Sequence, residues 1–175
     1  AERDADRLLG SGGSRYRSTW DQQKSGSAWT ELVLKEVRAK PTVFHSASDI
    51  SDFCPLYDSA STFEKETCWL RIVSTLAFYE STFNPAATYK EHTGTTSVGL
   101  LMMNPDHCPS ASTIAKLQSG AANIQCAMAR MALLLKRDKV VSGPGNTGPS
   151  AYWSPLRKPY RFRDLVLGKK PHIQL

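Results

Sequence analysis

The chain has 175 residues, 41% hydrophobic and 22% charged, enough for one globular domain with a real core and too few for two ordinary domains plus a linker. No apolar run approaches the roughly 20 residues that a membrane-spanning helix needs. Lysine and arginine outnumber aspartate and glutamate by 22 to 16, a net charge of +6. That excess favours an anionic partner such as nucleic acid, an acidic membrane or a bacterial cell wall, without choosing among them.

The basic residues are spread out, and no block of them reads as a nucleic-acid arm. The charged start Ala1-Glu2-Arg3-Asp4 carries no signal-peptide pattern and reads as a mature form, or as a fragment whose targeting segment has been removed. Residues 1–27, rich in Ser, Gly, Arg and Asp, read as a flexible or loosely docked arm, and 28–175 as a single domain. A first helix is predicted over 28–38, where Trp29, Leu32, Val33 and Val37 share a stripe, and Pro41 breaks it. Residues 42–60 look irregular.

The second helix carries the strongest signal. Ser61 with Glu64 forms a capping box, Trp69, Ile72, Val73 and Leu76 recur at helical spacing, and Asn84-Pro85 marks the end. Threonines 88, 93, 95 and 96 and Tyr89 have strand character around a turn at Gly94, which predicts a short hairpin. An apolar segment, helical or extended, then covers 100–103. A short helix follows at 112–118 and a longer one at 122–138, with Ile124, Ala127, Met128, Met131, Leu134 and Leu135 on its core face. Residues 141–150 read as a loop, and 151–175 as an aromatic, basic tail punctuated by prolines.

Four cysteines, Cys54, Cys68, Cys108 and Cys126, form no CxxC pair. An even count in a small chain points to two disulfides and an oxidising compartment, against the alternative of four buried thiols. Three pairings are possible. Short local loops beside helices favour 54–68 and 108–126. His45, His92, His107 and His172 show no ligand spacing, so neither a metal nor another cofactor is expected.

Glu80 continues the apolar stripe of the second helix, four residues after Leu76 and seven after Val73. Burial and the negative end of the helix dipole both disfavour its charged form, and a carboxyl that keeps its proton near neutral pH suits general-acid catalysis. The competing reading tips Glu80 into water at the helix end. Ser81 beside it lacks the His and Asp partners of a nucleophile.

The run Glu80-Ser81-Thr82-Phe83-Asn84-Pro85 resembles the E-S-x-F-N-P signature of lytic transglycosylases, enzymes with a goose-type-lysozyme-like fold. Ser97-Val98-Gly99-Leu100-Leu101 resembles the S-x-G-L segment on their hairpin. Asn123-Ile124-Gln125-Cys126-Ala127 resembles a helix of exported, disulfide-bonded members, and Tyr152-Trp153 falls where the family has a late Tyr. The resemblance covers roughly residues 60–156, with gaps. It implies a mainly α, lysozyme-like domain with a small β-hairpin, acting as an exported (periplasmic or secreted) monomer. The implied reaction is cleavage of the β-1,4 link between N-acetylmuramic acid and N-acetylglucosamine in peptidoglycan, with Glu80 as acid and then base. Ser97, Gly99, Leu100, Met102, Tyr89 and Tyr152 would contact the glycan, and Trp153 would stack on a sugar. Phe83 and Pro85 would be scaffold.

A lytic transglycosylase needs one acid, whereas hydrolysis needs a second carboxylate. Glu91 reads as a solvated hairpin charge and Asp106 as a turn or cap, which tilts the sequence towards the single-acid mechanism. The family has Gln where this chain has Met102, and a thioether cannot donate a hydrogen bond. Asn104 is placed to compensate. A chemically modified glycan, for example a de-N-acetylated one, is one expectation from this change. A non-catalytic glycan-binding module that kept the cleft is the competing class.

Overall fold

The computed structural model describes residues 16–168. Its centre is a 20-residue helix, here α3 (Thr62–Ser81). Ser61 caps its first turn by accepting from the Glu64 N–H at 3.2 Å and donating its own hydroxyl to the Glu64 carboxylate at 3.0 Å. Every residue from 66 to 77 is buried, so this helix is enclosed on all sides rather than resting on one face.

The enclosed stretch includes polar side chains, and each makes at least one hydrogen bond, although the Nε of Arg71 is left without a partner. Glu66 pairs with Arg38 at 2.7 Å and accepts from Tyr16 at 3.1 Å. The Arg71 guanidinium donates to the Val166 carbonyl at 2.7 Å. Ser74 accepts from the Thr19 N–H at 2.9 Å, and the Thr75 and Thr19 hydroxyls bond at 2.8 Å. Unpartnered, such groups would each cost about 1–3 kcal/mol.

Part of the segment expected as an arm over 1–27 makes several of those contacts. Residues 16–20 are docked on α3, and Trp20 is fully buried with its indole N–H on the Thr30 hydroxyl at 2.9 Å. A Cβ at Gly26 would clash with the Trp20 carbonyl oxygen, so glycine lets the chain fold back here. The portion of the expected arm at 1–15 lies outside the described residues.

Helix α1 (Gly26–Ala39) buries Trp29, Val33, Leu34 and Val37 against α3 and against the long α5 (Gly120–Asp138). Pro41 does not only end α1. It opens α2 (Pro41–Phe44), where its missing N–H costs nothing. The stretch to residue 60 holds two single 3-10 turns. The hairpin pairs β1 (Thr88–Lys90) with β2 (Thr96–Val98), antiparallel, with Tyr89 opposite Ser97. The apolar segment after it is neither helix nor strand but a tight loop, closed by paired backbone bonds between Val98 and Met103, both 2.9 Å. Helix α4 (Ile114–Leu117) is short.

The aromatic tail contains a helix that its prolines conceal, α6 (Pro159–Val166). Pro159 stands at the first helical position, so it starts this helix rather than breaking it. Phe162, Leu165 and Val166 cover α3.

Both disulfides have the expected pairing, Cys54–Cys68 and Cys108–Cys126. Each ties an irregular segment to a helix, the first to α3 and the second to α5. Among the described residues no helix is long and apolar enough to cross a membrane. Two disulfides are compatible with export. Replacing Cys54 and Cys68 together by serine is expected to lower stability by about 3 kcal/mol, read as a fall in the urea midpoint with an unchanged far-UV spectrum in water.

Candidate active site

Glu80 lies in the last turn of α3, after the buried Val73, Leu76 and Ala77, and is itself half-buried. The helix stops just beyond it. Thr82 and Phe83 both take positive φ, 51° and 62°, so the chain turns away through two successive left-handed residues, neither a glycine. The Ser81 hydroxyl is shared between the Ala77 carbonyl (3.1 Å) and the Leu100 carbonyl (2.9 Å). This side chain therefore fastens the end of α3 to the loop after the hairpin.

The loop is held from below by Asn123 of α5. Its fully buried amide donates to the carbonyls of Val98 (2.7 Å) and Leu117 (3.0 Å) and accepts from the Leu101 N–H (2.9 Å). Gly99 has φ 81°, and a Cβ there would strike the Asn123 amide. Leu100 is fully buried. Gly99 and Leu100 thus shape the loop from beneath, which corrects the expectation that the Leu100 side chain meets substrate. Met102 stands at the loop's turn with φ 47°, half-buried, its N–H on the Gly99 carbonyl at 3.1 Å. Trp153 is also corrected: it is buried, with its indole N–H on the Leu101 carbonyl at 2.9 Å, and cannot stack on a ligand.

The hairpin brings the second carboxylate. Glu91 is half-buried and accepts from the Ser97 hydroxyl at 2.8 Å. It is not the freely solvated charge expected from Lys90 and His92 beside it. Tyr89 opposes Ser97, and Glu91 follows two residues later, so all three share one face of the ribbon. Tyr89 is 55% exposed and open to a ligand. Asp106 stays exposed in a turn capped by Asn104, whose side chain accepts from the Asp106 N–H at 2.9 Å.

Glu80 and Glu91 are near enough to repel. Burial first, and the Glu91 charge second, push the Glu80 carboxyl from near 4.5 up to about 7. Tyr152 completes the group. Its phenol oxygen accepts from the Asn104 N–H at 2.8 Å, and both glutamates lie within electrostatic reach of it. Burial is the main reason its hydroxyl is held above the ordinary tyrosine range. Glu80, Glu91, Ser97, Tyr89 and Tyr152 therefore converge, with Met102 on the adjoining loop. The sequence offers Glu91 as a candidate second carboxylate and favours reading it as a solvated charge. Its placement follows from the hairpin register, which sets residues 89 and 91 on the side of Ser97. Among the described residues no group of His, Cys, Asp and Glu is placed to hold a metal ion.

No protein-family model matches the chain, and no curated protein is significantly similar to it in sequence. Its fold does match a solved structure of DslA from Bdellovibrio, with a TM-score of 0.72 and 24% identity over 82% of this chain and 88% of that one. DslA has also been solved with a glutamate replaced by glutamine, with the same TM-score. A third structure, with a different glutamate so replaced, gives 0.68 over 78% of this chain and 84% of that one. The two replaced glutamates lie eleven positions apart. At this identity the likeness shows a shared fold.

A raised carboxyl pKa makes the folded state hold a proton that the unfolded chain has released. Stability from this group is complete below about pH 4.5 and is lost as pH rises to about 7. Glu80→Gln is therefore expected to be more stable than the parent above pH 7, by on the order of 3 kcal/mol, and equal to it below pH 4.5. In Glu91→Gln the Glu80 pKa, followed by carboxyl NMR, is expected to fall yet stay above 4.5, because burial is the larger cause.

Proposed function

We propose that this protein cleaves peptidoglycan glycan strands at the β-1,4 bond between N-acetylmuramic acid and N-acetylglucosamine, within the lysozyme-like superfamily. The observation that carries the reading is the pairing of a half-buried Glu80 with Glu91 on the facing hairpin. The resemblance of residues 80–85 and 97–101 to lytic transglycosylases supports it. So does spacing: Glu80 and Glu91 are eleven residues apart, as are the two glutamates replaced in DslA.

Glu80, about half protonated at neutral pH, donates its proton to the glycosidic oxygen as the bond from that oxygen to C1 breaks. Positive charge develops on the sugar ring. Glu91, oriented by the Ser97 hydroxyl, accepts a proton from water while the water oxygen bonds to C1. The products are a free hydroxyl on one strand and a reducing end on the other. A pair of carboxylates favours this hydrolytic route over attack by the sugar's own 6-hydroxyl, which needs Glu80 alone. The Tyr89 ring offers an exposed surface to the glycan, and Tyr152 borders the carboxylates.

Released muropeptides are expected to carry reducing ends, each heavier by one water than the 1,6-anhydro product, as read by mass spectrometry. Glu80→Gln should retain wall binding and lose about 10³-fold in turnover, and Glu91→Gln about 10²-fold. Turnover unchanged in Glu80→Gln would sink the assignment.

The glycan preference is read from Met102. Its thioether offers no donor to a sugar acetamido group, so desolvating that amide there goes uncompensated, a cost a de-N-acetylated strand avoids. De-N-acetylated wall is expected to be cut faster than acetylated wall, and Met102→Gln to narrow the difference. Equal rates on both walls in the parent would refute this preference.

A further inference from the structure

A cavity separate from the carboxylate site opens beside the Cys108–Cys126 disulfide. It has a volume of about 350 Å³ and runs between residues 107–111 and the outer face of α5. None of Glu80, Glu91 or Ser97 lines it. Its walls are mostly apolar: Pro109, Ala111, the Cys108–Cys126 disulfide, and Leu133, which is 57% exposed although it sits on the core helix.

One cation faces this apolar space. Arg130 has a buried Nε with no hydrogen-bond partner, and among the described residues no carboxylate pairs with it. Its guanidinium lies 5.6 Å from the centre of the Tyr152 ring, which holds the cation by its face but satisfies no N–H. That Nε is closed to solvent, and so to a ligand, as is the equally unpartnered Nε of Arg71; the fork of an arginine matches a carboxylate through its terminal nitrogens. His107 and Gln125 add polar atoms along the same lining. The His107 ring packs edge-on against Tyr152, with centroids 5.5 Å apart. Tyr152 thus backs two residues of the lining, His107 and Arg130, while its hydroxyl lies within electrostatic reach of both glutamates.

We infer that this cavity binds a carboxylate of a short, methyl-bearing acidic peptide, with Arg130 as the anion-binding residue and the Pro109–Ala111–Leu133 surface taking the methyl groups. On the reading given under Proposed function, that peptide is the stem carried by muramic acid, so the site would select peptide-bearing strands. Phosphate fits the charge and leaves the apolar walls uncovered.

The probe is L-alanyl-γ-D-glutamate, titrated into the isotopically labelled protein and followed by amide NMR. Shifts are expected over residues 107–111 and 122–133. The same dipeptide with both carboxylates amidated should bind at least about tenfold more weakly, as should Arg130→Gln. Ala129→Phe, at an exposed helix position on the cavity rim, should do the same without touching the guanidinium. Equal binding of the amidated dipeptide, unchanged binding by Arg130→Gln, or the same shifts from inorganic phosphate at equal concentration would each overturn the assignment. Binding is read without turnover, so a protein that takes the dipeptide and cuts no glycan refutes the proposed function alone. One that cuts glycan and ignores the dipeptide refutes this site alone.

Discussion

The molecule depends on a helix that water does not reach. Residues 66–77 of α3 are buried without interruption, so the direction in which α3 leaves the core is fixed by packing on every side. A carboxylate one turn beyond that stretch inherits its position from the core rather than from a mobile loop. The burial that holds the helix also removes water from one side of Glu80, and that desolvation is the larger reason its proton is retained. Scaffold and acidity thus share one cause.

The opposite wall is assembled differently. The hairpin is small, with three residues in each strand, and an isolated pair of that length has little stability of its own. It is held by α5 through Asn123, two of whose three hydrogen bonds grip both sides of the following loop, and by α3 through Ser81. Two helices distant in sequence therefore set where Glu91 and Ser97 stand relative to Glu80. The Cys108–Cys126 bridge anchors the chain that leaves this loop to the same helix as Asn123.

Much of this was legible beforehand, and the exceptions have physical reasons. Helices α1, α3 and α5 announce themselves because their apolar residues repeat at helical spacing, and Glu80 stands out because it interrupts such a stripe. The disulfides follow from loop length. Trp20 was hidden because its partners, Thr30 and the Ser74–Thr75 pair by way of Thr19, are supplied by other elements. Helix α6 was hidden because a proline that begins a helix looks, in a string of letters, like one that ends it. Glu91 sits between Lys90 and His92, and its burial exists only once the ribbon closes and Ser97 comes across. The Arg130 cavity joins two segments that no local pattern connects.

Thr82 and Phe83 carry a last implication. Two adjoining side chains in left-handed backbone cost on the order of 1 kcal/mol or more each, and glycine would relieve that cost at either place. Glycine would also turn a stiff elbow into a swivel. The chain has kept an uncomfortable bend where a relaxed one was available, so the angle between the core helix and the ribbon is a built-in constant of the molecule, not a variable that a bound partner must adjust.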